Sequence, residues 1–291
     1  PPVLVITSAP FVNVLCNGGN NGSITINATG GTAPLQYSIN GGTTFQASNA
    51  FATLTAGTYN IVVKDANNCQ ITSSVSITQP PVLAITSAPF VNILCNGGNN
   101  GSITINATGG TAPLQYSING GTTFQGSNAF ATLIAGTYNI VVKDANNCQV
   151  TASVTITEPS ALTYISSSQT AACGQSNGSI TVTANGGAGS YQYSINAGIT
   201  YQASSIFNSL AAGTYSVLIK DANNCTSNAT VSVGNASAPV INSVTVANAN
   251  CNGANNGSLQ INASGGTGAL QYSINGGTTY TASSSFSNLA P

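Results

Sequence analysis

The chain repeats itself with a period of about 78 residues, and this repetition limits what it can fold into. Cys16, Cys95, Cys173 and Cys251 follow one another at intervals of 79, 78 and 78 positions. The first copy contains VLCNGGNNGSITINATGGTAPLQYSING and the second contains ILCNGGNNGSITINATGGTAPLQYSING. Such an internal repeat predicts that the same small fold is built several times along the chain.

We predict four repeats, at 1–80, 81–159, 160–237 and 238–291. The third copy has drifted in sequence but keeps QYSIN, AGTY and KDANNC. The fourth is truncated, because it stops at Pro291 before the Gly-Thr-Tyr segment that the other copies contain. We expect the natural chain to continue past this point. The alternative is that strands from a neighbouring subunit complete the fourth repeat.

Apolar and polar residues alternate within each copy. Ile24 and Ile26 lie two positions apart, as do Tyr59, Ile61 and Val63. A period of two predicts strands that bury one face, and Gly- and Asn-rich turns separate these segments. Short strands with one polar face are typical of antiparallel sheets. The sequence therefore predicts an all-β fold, a tandem array of β-sandwiches like immunoglobulin or fibronectin type III domains.

One tyrosine in each complete copy has the spacing of a tyrosine corner. A leucine, a glycine turn and a tyrosine follow one another from Leu54 to Tyr59, and the pattern returns at Tyr138 and Tyr215. In this device the phenol bonds to upstream backbone and fixes the crossover between the two sheets. An exposed tyrosine that stacks on a sugar is the alternative. Because these tyrosines share the parity of the core residues, we favour the structural role.

The chain carries almost no charge. Three Lys and Arg residues, four Asp and Glu residues and no His occur in 291 residues. Acid–base and nucleophilic catalysis need titratable groups held close together, so we predict that the chain is not an enzyme and uses no cofactor. With a net charge of −1 and no basic patch, nucleic acid is not an expected partner. Long apolar runs are absent, so we expect no membrane insertion in this segment.

Most of this charge lies in one hexapeptide. KDANNC occurs at 64–69, 143–148 and 220–225, and it contains all three lysines and three of the four acids. We predict that Asp65, Asp144 and Asp221 accept hydrogen bonds from turn backbone and that the lysine faces solvent and offsets its neighbouring carboxylate. Each Asp is also a weak calcium candidate. Because one carboxylate per motif is fewer than tight sites use, we predict no metal site.

The order of these motifs resembles a known family. CNGGNNGSI, a Gly-Gly pair, QYSING, AGTY and KDANNC follow one another as in the SprB-type repeat of giant cell-surface proteins in gliding Bacteroidota. The resemblance covers essentially the whole chain as tandem copies. It implies secretion, an extracellular location at the bacterial surface and a role in adhesion or gliding motility.

Each complete copy holds two cysteines, and in an exported protein these predict disulfides. No CxxC spacing and no histidine occur, which argues against the usual zinc and redox sites. We favour a bond within each repeat, over a separation of 52 or 53 positions. Bridges between neighbouring repeats, such as Cys69 to Cys95, and buried free thiols are the alternatives. The favoured pairs are Cys16 with Cys69, Cys95 with Cys148 and Cys173 with Cys225.

Two functions from different classes fit these features. The first is a structural segment of a surface adhesin or extracellular fibre, in which each sandwich is a rigid spacer. The second is an array of carbohydrate-binding modules that contacts polysaccharide through Asn, Gly and Tyr loops. The expected partners are neighbouring repeats of the same chain, other copies in a fibre, or a surface polysaccharide.

Overall fold

The structure is a computed structural model that describes residues 1–251 and 253–291. The described residues form strands and turns and no helix. The chain divides into two compact units: Pro1–Ile93 with Gly97–Glu158, and Leu94–Asn96 with Pro159–Pro291. None of the described residues belongs to a helix long and apolar enough to cross a membrane.

The first unit contains two sets of eight strands with the same order. In the first repeat they are Val5–Ser8 (β1), Phe11–Val12 (β2), Gly22–Thr25 (β3), Asn27–Thr29 (β4), Gln36–Ser38 (β5), Ala50–Leu54 (β6), Gly57–Lys64 (β7) and Gln70–Ile77 (β8). In the second they are Ala84–Ser87 (β9), Phe90–Val91 (β10), Gly101–Thr104 (β11), Asn106–Thr108 (β12), Gln115–Ser117 (β13), Ala129–Leu133 (β14), Gly136–Lys143 (β15) and Gln149–Ile156 (β16).

The second unit contains the strands of the third and fourth repeats. The third has Thr163–Gln169 (β17), Gly178–Asn185 (β18), Gln192–Ser194 (β19), Ile206–Leu210 (β20), Gly213–Lys220 (β21) and Thr226–Val233 (β22). The fourth has Val240–Ala247 (β23), Gly257–Ser264 (β24) and Ser285–Leu289 (β25).

Each complete repeat is a sandwich of antiparallel sheets. In the first repeat, β3 lies between β2 and β6, β1 pairs with β4, and β7 lies between β5 and β8. Ile24 in β3, Ile26 directly after it, and Ile61 and Val63 in β7 are all 0% exposed and form one core. Burying each such side chain stabilises the fold by about 2 kcal/mol. The predicted all-β array of Ig-like sandwich repeats is confirmed.

The second and third repeats follow the same plan, and the described residues of the fourth form one of its sheets. The second repeats the sheets as β10–β11–β14 and β13–β15–β16, with β9 paired to β12. The third has the sheets β17–β18–β20 and β19–β21–β22 around Ile180, Val182 and Ile219. In the fourth, β24 lies between β23 and β25, and Ile261 is buried.

The outer face of β5 and β7 is more buried than the alternation of apolar and polar residues predicts. Ser38 is 1% exposed and Val62 is 5% exposed. The Ser38 hydroxyl accepts the N–H of Gly42 at 3.0 Å and so holds the SING turn. In the following loop Gly42 lies close to both Val62 and Phe45, and the Phe45 ring lies beneath the Lys64 ammonium. The alternation therefore fails where a loop folds back over the sheet.

Candidate functional site at the ends of the repeats

Asp65 organises the hairpin between β7 and β8. Its side chain is buried, and its Oδ2 accepts the N–H of Thr32 at 2.9 Å. Its Oδ1 accepts the N–H groups of Asn67 and Cys69, each at 2.9 Å. The hydrogen bond from Thr32 is the main reason that the pKa of this carboxyl lies below its ordinary value, although desolvation acts in the opposite direction. The carboxylate thus fixes both the turn and the cysteine that ends it.

The same arrangement recurs in the next two repeats. Asp144 accepts from the backbone of Thr111, Asn146 and Cys148, and Asp221 accepts from Ala188, Asn223 and Cys225. The second asparagine of each motif has a positive φ, for example 64° at Asn68, which Asn tolerates better than most residues. KDANNC therefore builds one hairpin three times.

The lysine of each motif stacks on an aromatic ring, a contact that was not predicted. Lys64 Nζ lies 4.2 Å from the centre of the Phe45 ring. Lys143 lies over Phe124 and Lys220 lies over Tyr201 at similar distances. A cation over an aromatic face contributes about 0.5–1 kcal/mol at an exposed site. The aromatic residue of the loop after QYSI therefore explains the position of the lysine.

The carboxylates of KDANNC are occupied by backbone donors. Within residues 1–251 and 253–291, no group of three or more His, Cys, Asp or Glu side chains gathers as a metal site would. At Asp65, Asp144 and Asp221, three N–H groups point at the oxygens that a calcium ion would need. These donors repel a cation, so the oxygens act as turn acceptors.

The other end of the first repeat holds Cys16 in the loop between β2 and β3. The N–H of Val14 donates to the carbonyl of Thr78 at 3.0 Å, and the N–H of Thr78 donates to Asn13 Oδ1 at 2.8 Å. The N–H of Gly18 donates to Gln79 Oε1 at 2.7 Å. These bonds attach the loop to the segment that leaves β8, where the first repeat ends.

The second repeat repeats this attachment with a charged acceptor. The N–H of Gly97 donates to Glu158 Oε2 at 2.6 Å, where the first repeat uses Gln79. The N–H of Thr157 donates to Asn92 Oδ1 at 2.9 Å. The only acid outside KDANNC therefore also serves a loop. The sequence signal for these contacts was the asparagine that lies two positions before the Leu-Cys pair in each of the first two repeats, Asn13 and Asn92.

The favoured bond between Cys16 and Cys69 is wrong, because these residues lie at opposite ends of the sandwich. Cys16 belongs to the loop attached at Thr78, whereas Cys69 immediately precedes β8. The eight residues of β8 span about 26 Å at 3.3 Å per residue. A disulfide requires Cα atoms within about 7 Å of each other. The other two favoured pairs are also wrong, because Cys148 bonds to Cys16, Cys225 bonds to Cys95 and Cys173 is a free thiol.

The disulfides instead join a loop cysteine to a hairpin cysteine of the following repeat. In the first unit Cys16 bonds to Cys148, with 5.7 Å between the Cα atoms. Asn146 Nδ2 donates to the carbonyl of Leu15 at 2.9 Å beside this bond. In the second unit Cys95 bonds to Cys225, with 5.6 Å between the Cα atoms. We call these the two cross-repeat disulfides.

Three cysteines carry free thiols, and each is exposed. Cys69 is a hairpin cysteine, whereas Cys173 and Cys251 are loop cysteines. The prediction had placed Cys69 and Cys173 in disulfides. By the same pairing, Cys69 would bond to a loop cysteine of a preceding repeat, which the given sequence does not contain. The bonding of each loop cysteine to the hairpin cysteine of the following repeat thus agrees with a free thiol at Cys69.

Three tyrosines close the crossovers between sheets. The Tyr59 phenol donates to the carbonyl of Thr55 at 2.8 Å. Tyr138 donates to Ile134 and Tyr215 donates to Ala211, each at 2.9 Å. A phenol bonded to backbone four residues upstream, at the start of a strand, is the geometry of a tyrosine corner. These phenols therefore serve the fold of their own repeat.

These features define a class of protein, tandem Ig-like sandwich repeats whose neighbours are joined by disulfides. The model of the SprB repeat matches residues 8–44, 87–123, 166–200 and 243–279. Together these segments make up half of the sequence, and the chain belongs to the SprB repeat family. Each match includes a loop cysteine and ends before the KDANNC position.

Several solved structures are similar in fold. Immunoglobulin domains 1–4 of Sidekick-1 are 12% identical, with 91% of this chain and 82% of that chain covered and a TM-score of 0.27. The eight N-terminal Ig domains of DSCAM isoform 1.30.30 are 12% identical, with 89% and 39% covered and a TM-score of 0.28. Cadherin domains 3–6 of protocadherin gamma B2 are 15% identical, with 83% and 75% covered and a TM-score of 0.29.

These likenesses concern the fold alone. None of the curated proteins matches the chain significantly in sequence.

Proposed function

We propose that this chain is a structural segment of a long extracellular protein at a bacterial cell surface, in which the repeats act as rigid spacers. Membership of the SprB repeat family supports a surface location. Disulfides form and persist in oxidising compartments, so the two cross-repeat bonds fit an extracellular protein. The role we propose is mechanical and non-enzymatic, in adhesion or gliding motility.

The disulfide between Cys16 and Cys148 is the observation that carries this proposal. Domains joined only by a linker are expected to move relative to each other. Here a covalent bond joins the first repeat to the second, and the hydrogen bond from Asn146 to Leu15 lies beside it. Two contacts in addition to the linker restrict rotation at this joint. A restricted joint is what a spacer that holds a distance requires.

The contacts of three of the eleven tyrosines favour a spacer over a sugar-binding module. The phenols of Tyr59, Tyr138 and Tyr215 are engaged with backbone carbonyls of their own repeats. The chain has no His or Trp and only seven residues with a formal charge. We therefore propose neighbouring repeats as its principal partners, and polysaccharide binding as the competing function.

Spin labels on the first two repeats test the rigidity of the joint in the full chain. Ala52 and Ala131 are exposed and occupy equivalent positions in β6 and β14. Labels attached there through non-natural amino acids leave the cysteines intact. Pulsed electron resonance should give a narrow distance distribution that broadens in Cys148→Ser. The matched variant Cys69→Ser, which removes a free thiol, should leave it narrow.

Two results would count against the proposal. A distribution that is already broad in the unmodified chain would show that the joint is flexible despite its disulfide. Saturable binding of the full chain to a surface polysaccharide on a glycan array, lost when the loops after QYSIN are shortened, would support the competing function.

A further inference from the structure

The two cross-repeat disulfides overlap along the sequence. One joins Cys16 to Cys148 and the other joins Cys95 to Cys225, at sequence separations of 132 and 130. Cys95 lies inside the first closed loop, and Cys148 lies inside the second. The stretch from 95 to 148 is therefore enclosed by both bonds. Bonds confined to single repeats could not overlap in this way.

We propose that this overlap gives the chain a second covalent route, so that a single backbone cut does not separate its two sides. A cut between Cys16 and Cys95 is spanned by the first disulfide, and a cut between Cys148 and Cys225 is spanned by the second. A cut between Cys95 and Cys148 is spanned by both. The protein thus tolerates proteolytic cleavage at any one peptide bond from Cys16 to Cys225.

The linkers between repeats show why this connectivity matters. Glu158 and Ser160 are exposed in the linker after β16, and exposed connecting segments are where proteases preferentially cut. With bonds inside single repeats, a cut in this linker would release everything beyond it. With the bond between Cys95 and Cys225, the two sides stay joined. This property goes beyond the proposed spacer role and depends only on the disulfide connectivity.

Local contacts hold the cysteines of each bond in place independently of a distant cut. Asp221 accepts the N–H of Cys225 at 2.9 Å and fixes the hairpin. Asn223 Nδ2 donates to the carbonyl of Leu94 at 2.9 Å beside the second disulfide. Asn96 Nδ2 donates to the carbonyl of Pro159 at 3.0 Å on the other side of Cys95. The sulfurs therefore remain together when the chain is cut elsewhere.

Two matched insertions of one protease site in the full chain test the proposal. The recognition sequence of a site-specific protease is inserted between Ser160 and Ala161 in one variant and between Ser237 and Ala238 in the other. Both positions are exposed or next to exposed residues in linkers between repeats, but only the first is spanned by a disulfide. After cleavage, free thiols are alkylated and the products are separated under denaturing conditions.

Without reductant, the variant cut after Ser160 should keep the mass of the whole chain, and the variant cut after Ser237 should release its C-terminal fragment. Reductant should separate both. Adding Cys225→Ser to the first variant should release its fragments without reductant, whereas adding Cys69→Ser should not. Release of the two fragments of the first variant without reductant would overturn the proposal. Retention of the second would also overturn it, because an unassigned bond would then cross that linker.

Discussion

Removal of the first cross-repeat disulfide should destabilise two repeats at once. The double variant Cys16→Ser, Cys148→Ser removes both cysteines of the bond, so it creates no new free thiol. The bond closes a loop with a sequence separation of 132. Loop-closure entropy for this length gives an upper value of about 5 kcal/mol, and native disulfides typically contribute about 2–4 kcal/mol. We therefore expect the free energy of unfolding of the first two repeats to fall by about 2–5 kcal/mol.

Guanidinium denaturation followed by methyl NMR measures this loss repeat by repeat. The methyl groups of Ile61 and Ile140 are 0% exposed and report on the cores of the first and second repeats. A local probe is needed because chains of several domains do not unfold in one two-state step. In the double variant both midpoints should move to lower denaturant.

The control is Cys69→Ser, which removes an exposed free thiol and should change stability by no more than about 0.5 kcal/mol. The reasoning would be refuted if this variant destabilised the first repeat as much as the double variant does. It would also be refuted if the double variant left the Ile140 midpoint unchanged, since the bond would then not constrain the second repeat.

Three further predictions concern single contacts in the first repeat. Tyr59→Phe removes the hydrogen bond to Thr55 and should cost about 1 kcal/mol in guanidinium denaturation; an unchanged midpoint would contradict the corner. Because the pKa of Asp65 is lowered by folding, its ionised carboxylate should stabilise the fold fully above the ordinary pKa of 3.8. This stabilisation should be lost as the pH falls through the lower pKa of the folded state, and the acid denaturation of Asp65→Asn should not show that loss. Lys64→Met should cost about 0.5–1 kcal/mol, but almost nothing in a Phe45→Leu background, as a double-mutant cycle would show.

The sequence allowed the sandwich and its turns to be predicted because these depend on local patterns. The alternation of Ile24 and Ile26 places both in the core, and the spacing from Leu54 to Tyr59 matches the hydrogen bond between Tyr59 and Thr55. Asp65 caps its turn through backbone donors within four residues and one from Thr32. Each of these features is repeated in every complete copy, which strengthened the pattern.

The disulfide pairing could not be predicted in this way, because it depends on which ends of two sandwiches meet. Cys69 is nearer to Cys16 in sequence than Cys148 is, but the whole length of β8 separates Cys16 from Cys69. Hydrogen bonds of Asn13 and Val14 hold the loop of Cys16 next to Thr78. Cys16 therefore lies at the end of β8 that is farther from Cys69. Spacing between cysteines carries no information about these contacts.

The cation–π contacts and the burial of Ser38 were missed for a related reason. Strand periodicity assumes that one face of a sheet is open to solvent. The loop after β5 folds back over β7 and brings Phe45 under Lys64, so the outer face is partly covered. The sequence signal for these contacts was the loop after β5, which ends in the aromatic residue Phe45.

A tryptic map of the full chain without reduction tests the cross-repeat disulfides most directly. After alkylation of free thiols and denaturation, trypsin cuts after Lys64, Lys143 and Lys220 and produces four peptides. The structure predicts two disulfide-linked pairs, 1–64 with 144–220 and 65–143 with 221–291. Bonds within single repeats would instead hold all four peptides together in one species, and that result would contradict the account.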